Sequence, residues 1–134
     1  MPRTQLPEVL VAVGVIERDG QYFLCRRRAG AHLEGLWEFP GGKIRPGEDP
    51  RDTLVRELSE EVDVRVIDAR LLHLEEFRYS DRAVVLYFFF CTEWAGEPRS
   101  MEEQDVRWLS PEELRAADVP PANRSFVELL LEHA

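Results

Sequence analysis

The sequence predicts an α/β (α+β) domain: a mixed β-sheet with helices on both faces. Three observations predict it. Valine- and phenylalanine-rich runs of strand length recur along the chain, bounded by turn residues. One helix with apolar residues at helical spacing stands near the middle. Shorter helical segments with capping signals close the C-terminal third, so strands interleave with few helices. The 134 residues fit a single domain, 1–134, and 44% hydrophobic residues let burial offset chain entropy without disulfides or a structural metal.

Glu8 to Ile16 is rich in valine and reads as a buried strand; Arg18-Asp19-Gly20 turns the chain and Gln21 to Cys25 returns it. Ala29 to Gly35 reads as a loop, followed by a short apolar stretch, Leu36 to Phe39, that Pro40-Gly41-Gly42 breaks. The clearest helix starts after Asp49, with Asp49 as cap, Pro50 in the first turn and Asp52 near the positive end of the dipole. Leu54, Val55, Leu58 and Val62 form its core-facing stripe. Strands follow around Leu71 to Phe77, Ala83 to Cys91 and Asp105 to Leu109. Ser110-Pro111-Glu112-Glu113 opens a short helix with a capping box. A last helix runs from about Asn123 to Glu132, with Phe126, Leu129 and Leu130 inward.

The net charge of −9, from 17 basic and 26 acidic residues, disfavours binding of duplex nucleic acid, which a broad basic surface normally meets. A small phosphorylated partner stays open if cations bridge it to the protein. Arg26, Arg27, Arg28, Lys43 and Arg45 supply local positive charge in the first third of the chain. Cys25 and Cys91 lie in apolar runs and read as buried free thiols. No stretch approaches the ~20 apolar residues of a membrane span, and Met1-Pro2-Arg3-Thr4 lacks the apolar segment of a signal peptide. A cytoplasmic protein with no membrane partner is expected, as monomer or homodimer. His32, His73 and His133 lack zinc-ligand spacing.

The chemistry concentrates between Gly42 and Val64. Glu57, Glu60 and Glu61 are related by three and four residues and share one helix face, where like charges repel. Hard divalent cations give that arrangement a purpose, because magnesium seeks carboxylate oxygens and shares them with substrate phosphates. Arg56 precedes Glu60 by one turn and can steady it by an ion pair; Glu48 could reach in from the preceding loop.

The run resembles the Nudix box: a glycine, five residues, a glutamate, seven residues, then Arg-Glu-apolar-x-Glu-Glu-x-Gly-apolar. Gly42, Glu48, Arg56, Glu57, Leu58, Glu60, Glu61 and Val64 fall in register over 42–64. Asp63 stands where the family has glycine. That glycine follows the helix, where left-handed backbone is common, and aspartate takes this conformation at a cost of about 1 kcal/mol. The departure removes no carboxylate. The resemblance implies the Nudix-type α/β/α sandwich.

Similarity to the family's MutT-type members, which hydrolyse 8-oxo-dGTP, extends over nearly the whole chain. Gly35-Leu36-Trp37-Glu38-Phe39-Pro40-Gly41-Gly42-Lys43 is similar to their approach to the box. Arg27, His32 and the pair Asp81-Arg82 fall at matching positions, and Ala117-Asp118-Val119-Pro120-Pro121-Ala122-Asn123 resembles the segment whose asparagine reads the oxidised guanine. The resemblance implies substrate contacts from Arg27, His32, Phe39, Gly41, Asp81, Arg82 and Asn123, although Asn123 is also an ordinary helix-capping residue. It implies Mg2+, with Mn2+ as substitute, on Glu57, Glu60, Glu61 and the Gly42 carbonyl. Glu102 or its neighbour Glu103 would contribute from the loop before the strand ending at Trp108.

A carboxylate must take the attacking water's proton; Glu57 ranks first, then Glu61 and Glu102, with Arg56 beside them. Attack at the β-phosphorus would release 8-oxo-dGMP and pyrophosphate. A CTP or modified-pyrimidine pyrophosphohydrolase is the nearest alternative, sharing Trp37 to Gly42 and the box. A non-catalytic Nudix-fold nucleotide-binding module is the alternative of another class; such modules typically lack the box carboxylates that this chain keeps.

Overall fold

The computed structural model describes residues 6–31 and 33–132. Strand β1 (Glu8–Val15) runs into β2 (Glu17–Arg18), which pairs antiparallel with β3 (Gln21–Arg26). The turn residues Asp19 and Gly20 both carry positive φ, 53° and 79°, which suits a tight hairpin whose twist matches its strands. Next come β4 (Trp37–Glu38), β5 (Gly41–Lys43), α1 (Pro50–Val62), β6 (Arg65–Arg78), β7 (Ala83–Ala95), β8 (Val106–Leu109), α2 (Pro111–Ala116) and α3 (Pro121–Glu132).

The strands divide into two sheets. In the first, ordered β5-β1-β7-β6, β1 is parallel to β7 and the other pairs are antiparallel, so the sheet is mixed as expected. The second is antiparallel: β3 lies between β4 and β8 and also pairs with β2. With β5 on one edge of β1 and β7 on the other, the β2–β3 hairpin has no free edge of β1 to join and pairs elsewhere.

Alternation along the first sheet splits the core in two. Ala12 and Phe89 point to one face, where they cluster with Leu54, Leu58 and Val62 of α1. Val13, Leu86 and Phe88 point to the other, against Leu114 of α2 and Phe126, Val127 and Leu130 of α3. Helices thus cover both faces, the α/β/α arrangement. Burying each α1 leucine is worth roughly 1.5–3 kcal/mol, enough to hold the helix to the sheet despite its charged outer face.

Four details differ from the sequence reading. Val55 is 38% exposed, and Thr53 is buried in its stead, its hydroxyl donating to Glu48 Oε1 at 2.7 Å. β6 and β7 outrun their apolar cores, because the long antiparallel ladder between them, with register shifts around Asp68 and Leu72, also orders the polar ends. β8 begins at Val106, one residue after the expected Asp105. α3 starts at Pro121, a residue suited to a first helical turn. Asp49 caps α1 by accepting from the Arg51 amide, and both halves of the Ser110–Glu113 capping box form.

Candidate active site

Gly41 and Gly42 lie where β5 meets β1, directly beneath α1. A Cβ on Gly41 would collide with the Ala12 carbonyl, and one on Gly42 with the Glu57 carboxyl group. The two glycines therefore let the strand carry the Glu57 side chain at backbone contact. The Gly41 amide donates to Glu61 Oε2 at 3.2 Å, so the same turn also holds the second carboxylate.

Around this turn lies a cavity of about 220 Å3 lined by Glu38, Glu57, Glu61 and Glu102 with Arg27 and Arg28. α1 supplies Glu57 and Glu61, β4 supplies Glu38, the end of β3 leads to the arginines, and the β7–β8 loop supplies Glu102. That loop is tied to the helix end: the amides of Arg99 and Met101 donate to the carbonyls of Val62 and Glu61 at 3.1 and 2.9 Å. Asp63 takes the left-handed conformation (φ 59°, ψ 36°), and its amide closes back on the Leu58 carbonyl, so aspartate makes the turn in place of glycine.

Crowding sets the electrostatics. Burial, then the charge of Glu38, pushes the Glu61 carboxyl up to about 8; the Gly41 hydrogen bond opposes this, and Glu102 and Glu57 reinforce it. Burial also raises Glu38, against the pull of Arg27, whose Nη1 lies 2.9 Å from Glu38 Oε2. Burial drives the thiols of Cys25 and Cys91 upward, Cys91 to about 12, so both are inert buried groups.

Arg56 makes the expected ion pair with Glu60, and closer bonds elsewhere. Its guanidinium donates to both oxygens of Glu48, at 3.0 and 2.9 Å, and to Glu57 Oε1 at 2.6 Å, while Glu60 lies farther off at 3.6 Å. Glu48 is consequently a structural partner of Arg56, Thr53 and the Arg45 amide, turned away from the cavity, and these bonds pull its carboxyl down to about 2. Glu60 is 59% exposed and does not line the cavity.

The other expected contacts fall as follows. Arg27 faces the cavity. Glu102 lines it, with its Oε2 3.9 Å from Arg28, whereas Glu103 lines the neighbouring arginine pocket. Phe39 is buried at the edge of the core, its ring edge-on to Phe126 at 5.7 Å. Asn123 is only 6% exposed, at the start of α3. Asp81 and Arg82 sit in the β6–β7 turn, which the Tyr79 amide closes on the Arg82 carbonyl at 2.8 Å. Asp81 is exposed, while Arg82 Nε is buried without a partner among the described residues. Tyr79 accepts from the Ala122 amide and feels the charges of Arg82 and Arg27, so this turn, the start of α3 and the arginine loop adjoin. His32 lies outside the described residues.

The sequence reading left Glu38, Arg28 and Gln104 out of the site, yet all three line the cavity. Glu38 carried a signal, a carboxylate inside an otherwise apolar strand. Gln104 carried none.

Among the described residues no three carboxylate, histidine or cysteine side chains close into a finished metal cage. The donors nevertheless fit a hard divalent cation: carboxylate oxygens, mutually repelling, around one cavity, beside a strand with no room for Cβ atoms.

A helix with this carboxylate pattern, seated on a glycine turn in an α/β/α sandwich, defines the Nudix hydrolase class. The chain belongs to the Nudix family, the NUDIX domain matching residues 7–130. It is 39% identical over 126 residues to an 8-oxo-dGTP diphosphatase of Escherichia coli K12, covering 93% of this chain and 98% of that protein. It is 34% identical over 121 residues to a CTP pyrophosphohydrolase of the same organism, covering 90% of each. Among solved structures, that of the E. coli ORF135 protein superposes with a TM-score of 0.84 at 32% identity, over 95% of this chain and 91% of that one. Nudix hydrolases generally need a divalent metal.

Proposed function

We propose that this single domain hydrolyses 8-oxo-dGTP to 8-oxo-dGMP and pyrophosphate with Mg2+, Mn2+ serving as substitute, and so sanitises the nucleotide pool of the cytoplasm. The observation that carries the reading is the cavity itself, where Glu57, Glu61 and Glu102 for a cation and Arg27 and Arg28 for phosphates line one space, with Glu38 paired to Arg27. The bound cation would offset phosphate charge and acidify a water. Glu57, Glu61 and Glu102 are the residues to hold it, with the Gly42 carbonyl and Glu60 at the margin. Glu57 is first choice for taking the water's proton, then Glu61 and Glu102. Arg56 fixes Glu57 through the 2.6 Å contact. Arg27, steadied by Glu38, meets the phosphates. Water adds to the β-phosphorus as the bond to the α-phosphate oxygen breaks, leaving the nucleoside monophosphate.

The base assignment draws on the buried Asn123 amide, which has donor and acceptor to offer a purine edge, and on the 8-oxo-dGTP diphosphatase relative. A pyrimidine triphosphate is the second reading, favoured by the CTP pyrophosphohydrolase relative. A panel of 8-oxo-dGTP, dGTP, CTP and modified dCTP separates them: preference for 8-oxo-dGTP is expected, and preference for CTP overturns the assignment. No described helix is long and apolar enough to cross a bilayer.

A further inference from the structure

Gln104 joins the two loops that frame the cavity. Its Nε2 donates to the Arg26 carbonyl at 3.0 Å, one residue before the arginines that line the cavity. Its own amide donates to the Ser100 hydroxyl at 2.8 Å, and that hydroxyl also accepts from the Glu102 amide at 3.1 Å. The Arg26 amide in turn donates to the Asp105 carbonyl at 2.9 Å. The Gln104 side chain thus adds a link between the loop of Arg27 and Arg28 and the loop of Glu102, beside the backbone pairing of β3 with β8. Gln104 Oε1, by contrast, is buried with no partner among the described residues. A buried acceptor without a donor is a cost, and a plain donor would hold the Arg26 carbonyl without it. Local stability alone therefore does not account for an amide here.

We propose that Gln104 is a positioning residue of the hydrolase site, setting the distance between the phosphate-facing arginines and the cation-facing Glu102. The inference rests on reading the cavity as a metal–phosphate site. It goes beyond that reading in giving a role to a residue outside the Nudix box.

The test compares the wild type with Gln104→Met, which keeps the volume without the amide, and Gln104→Asn, whose amide is too short to reach Arg26. Mn2+ affinity is measured by electron paramagnetic resonance, with and without a non-hydrolysable nucleoside triphosphate, beside kcat, KM and Tm. Both variants are expected to lose about tenfold in Mn2+ affinity in the nucleotide complex and in kcat, as when a residue orienting metal ligands is removed. KM moves less than kcat, and Tm stays near that of the wild type. Mn2+ affinity and kcat within about twofold of wild type overturn the proposal, because the split is then absent. Losses matched by a collapse of Tm in both variants also overturn it, in favour of a purely structural role. Should the wild type bind Mn2+ and nucleotide yet release no pyrophosphate, the hydrolase reading fails and the Mn2+ affinities alone decide on Gln104.

Discussion

Glu48 and Glu61 belong to the same motif, one before the helix and one near its end, yet their surroundings drive them in opposite directions. Glu48 is met by Arg56, by the Thr53 hydroxyl and by the Arg45 amide, which pull its carboxyl down to about 2. Glu61 is half-buried among Glu38, Glu102 and Glu57 with a single amide for relief, and is pushed up to about 8. Hydrogen-bond donors already satisfy the first, which locks the loop to the helix. The second lacks positive charge, and a divalent cation is the partner that would supply it. A shared motif therefore contains two kinds of residue, those that build the cleft and those that wait on its contents.

The largest effect expected from this contrast is on turnover. Glu57→Gln should lower kcat by about 10²–10⁴-fold, the usual range for a lost general base, with Tm held. Glu48→Gln should lower Tm by several degrees while costing less than about tenfold in kcat, since it acts only through Arg56. Turnover lost equally in both variants would erase the distinction. Next in size, Asn123→Ala should reduce discrimination between 8-oxo-dGTP and dGTP by about 10–100-fold, the worth of one or two buried hydrogen bonds. An unchanged ratio, read from kcat/KM for each nucleotide, would leave Asn123 a helix-capping residue.

The pH dependence of stability should carry opposite signs at the two positions. Because its folded value is raised, the contribution of Glu61 in cation-free protein is full below 4.5 and is lost as pH climbs through about 8. Glu61→Gln should thus stabilise the cation-free protein near pH 9 and leave it unchanged near pH 4. Glu48, whose value is lowered, contributes above 4.5 and loses that contribution as pH falls through about 2. Thermal melts of both variants across pH test the pair of signs. Smallest of all, Asp63→Gly should stabilise by less than about 1 kcal/mol, because relief at φ 59° is partly offset by losing the exposed Arg99 ion pair. A destabilised Asp63→Gly would give the ion pair the larger share.

Periodicity and capping residues made α1 legible from the sequence, down to its Asp49 cap, and the Nudix register made the glutamates legible. What the register could not convey was direction. Glu48, Glu57, Glu60 and Glu61 look equivalent as letters, but Arg56 bonds Glu48 and Glu57 closely and meets the exposed Glu60 only at 3.6 Å. Only packing decides that. Gln104 was hidden because it reaches the cavity from an irregular loop, where no period points a side chain; Glu38 was marked only by being a carboxylate in an otherwise apolar stretch. The division into two sheets was equally out of reach, since it depends on which edges of β1 are already taken.

The central claim is that this carboxylate cleft hydrolyses an oxidised purine triphosphate, and pyrophosphate release from 8-oxo-dGTP and dGTP, with Mg2+ and with chelator, tests it most directly. Release that requires Mg2+ and strongly favours 8-oxo-dGTP is the expected result. Absence of release from either nucleotide with Mg2+ present would contradict it.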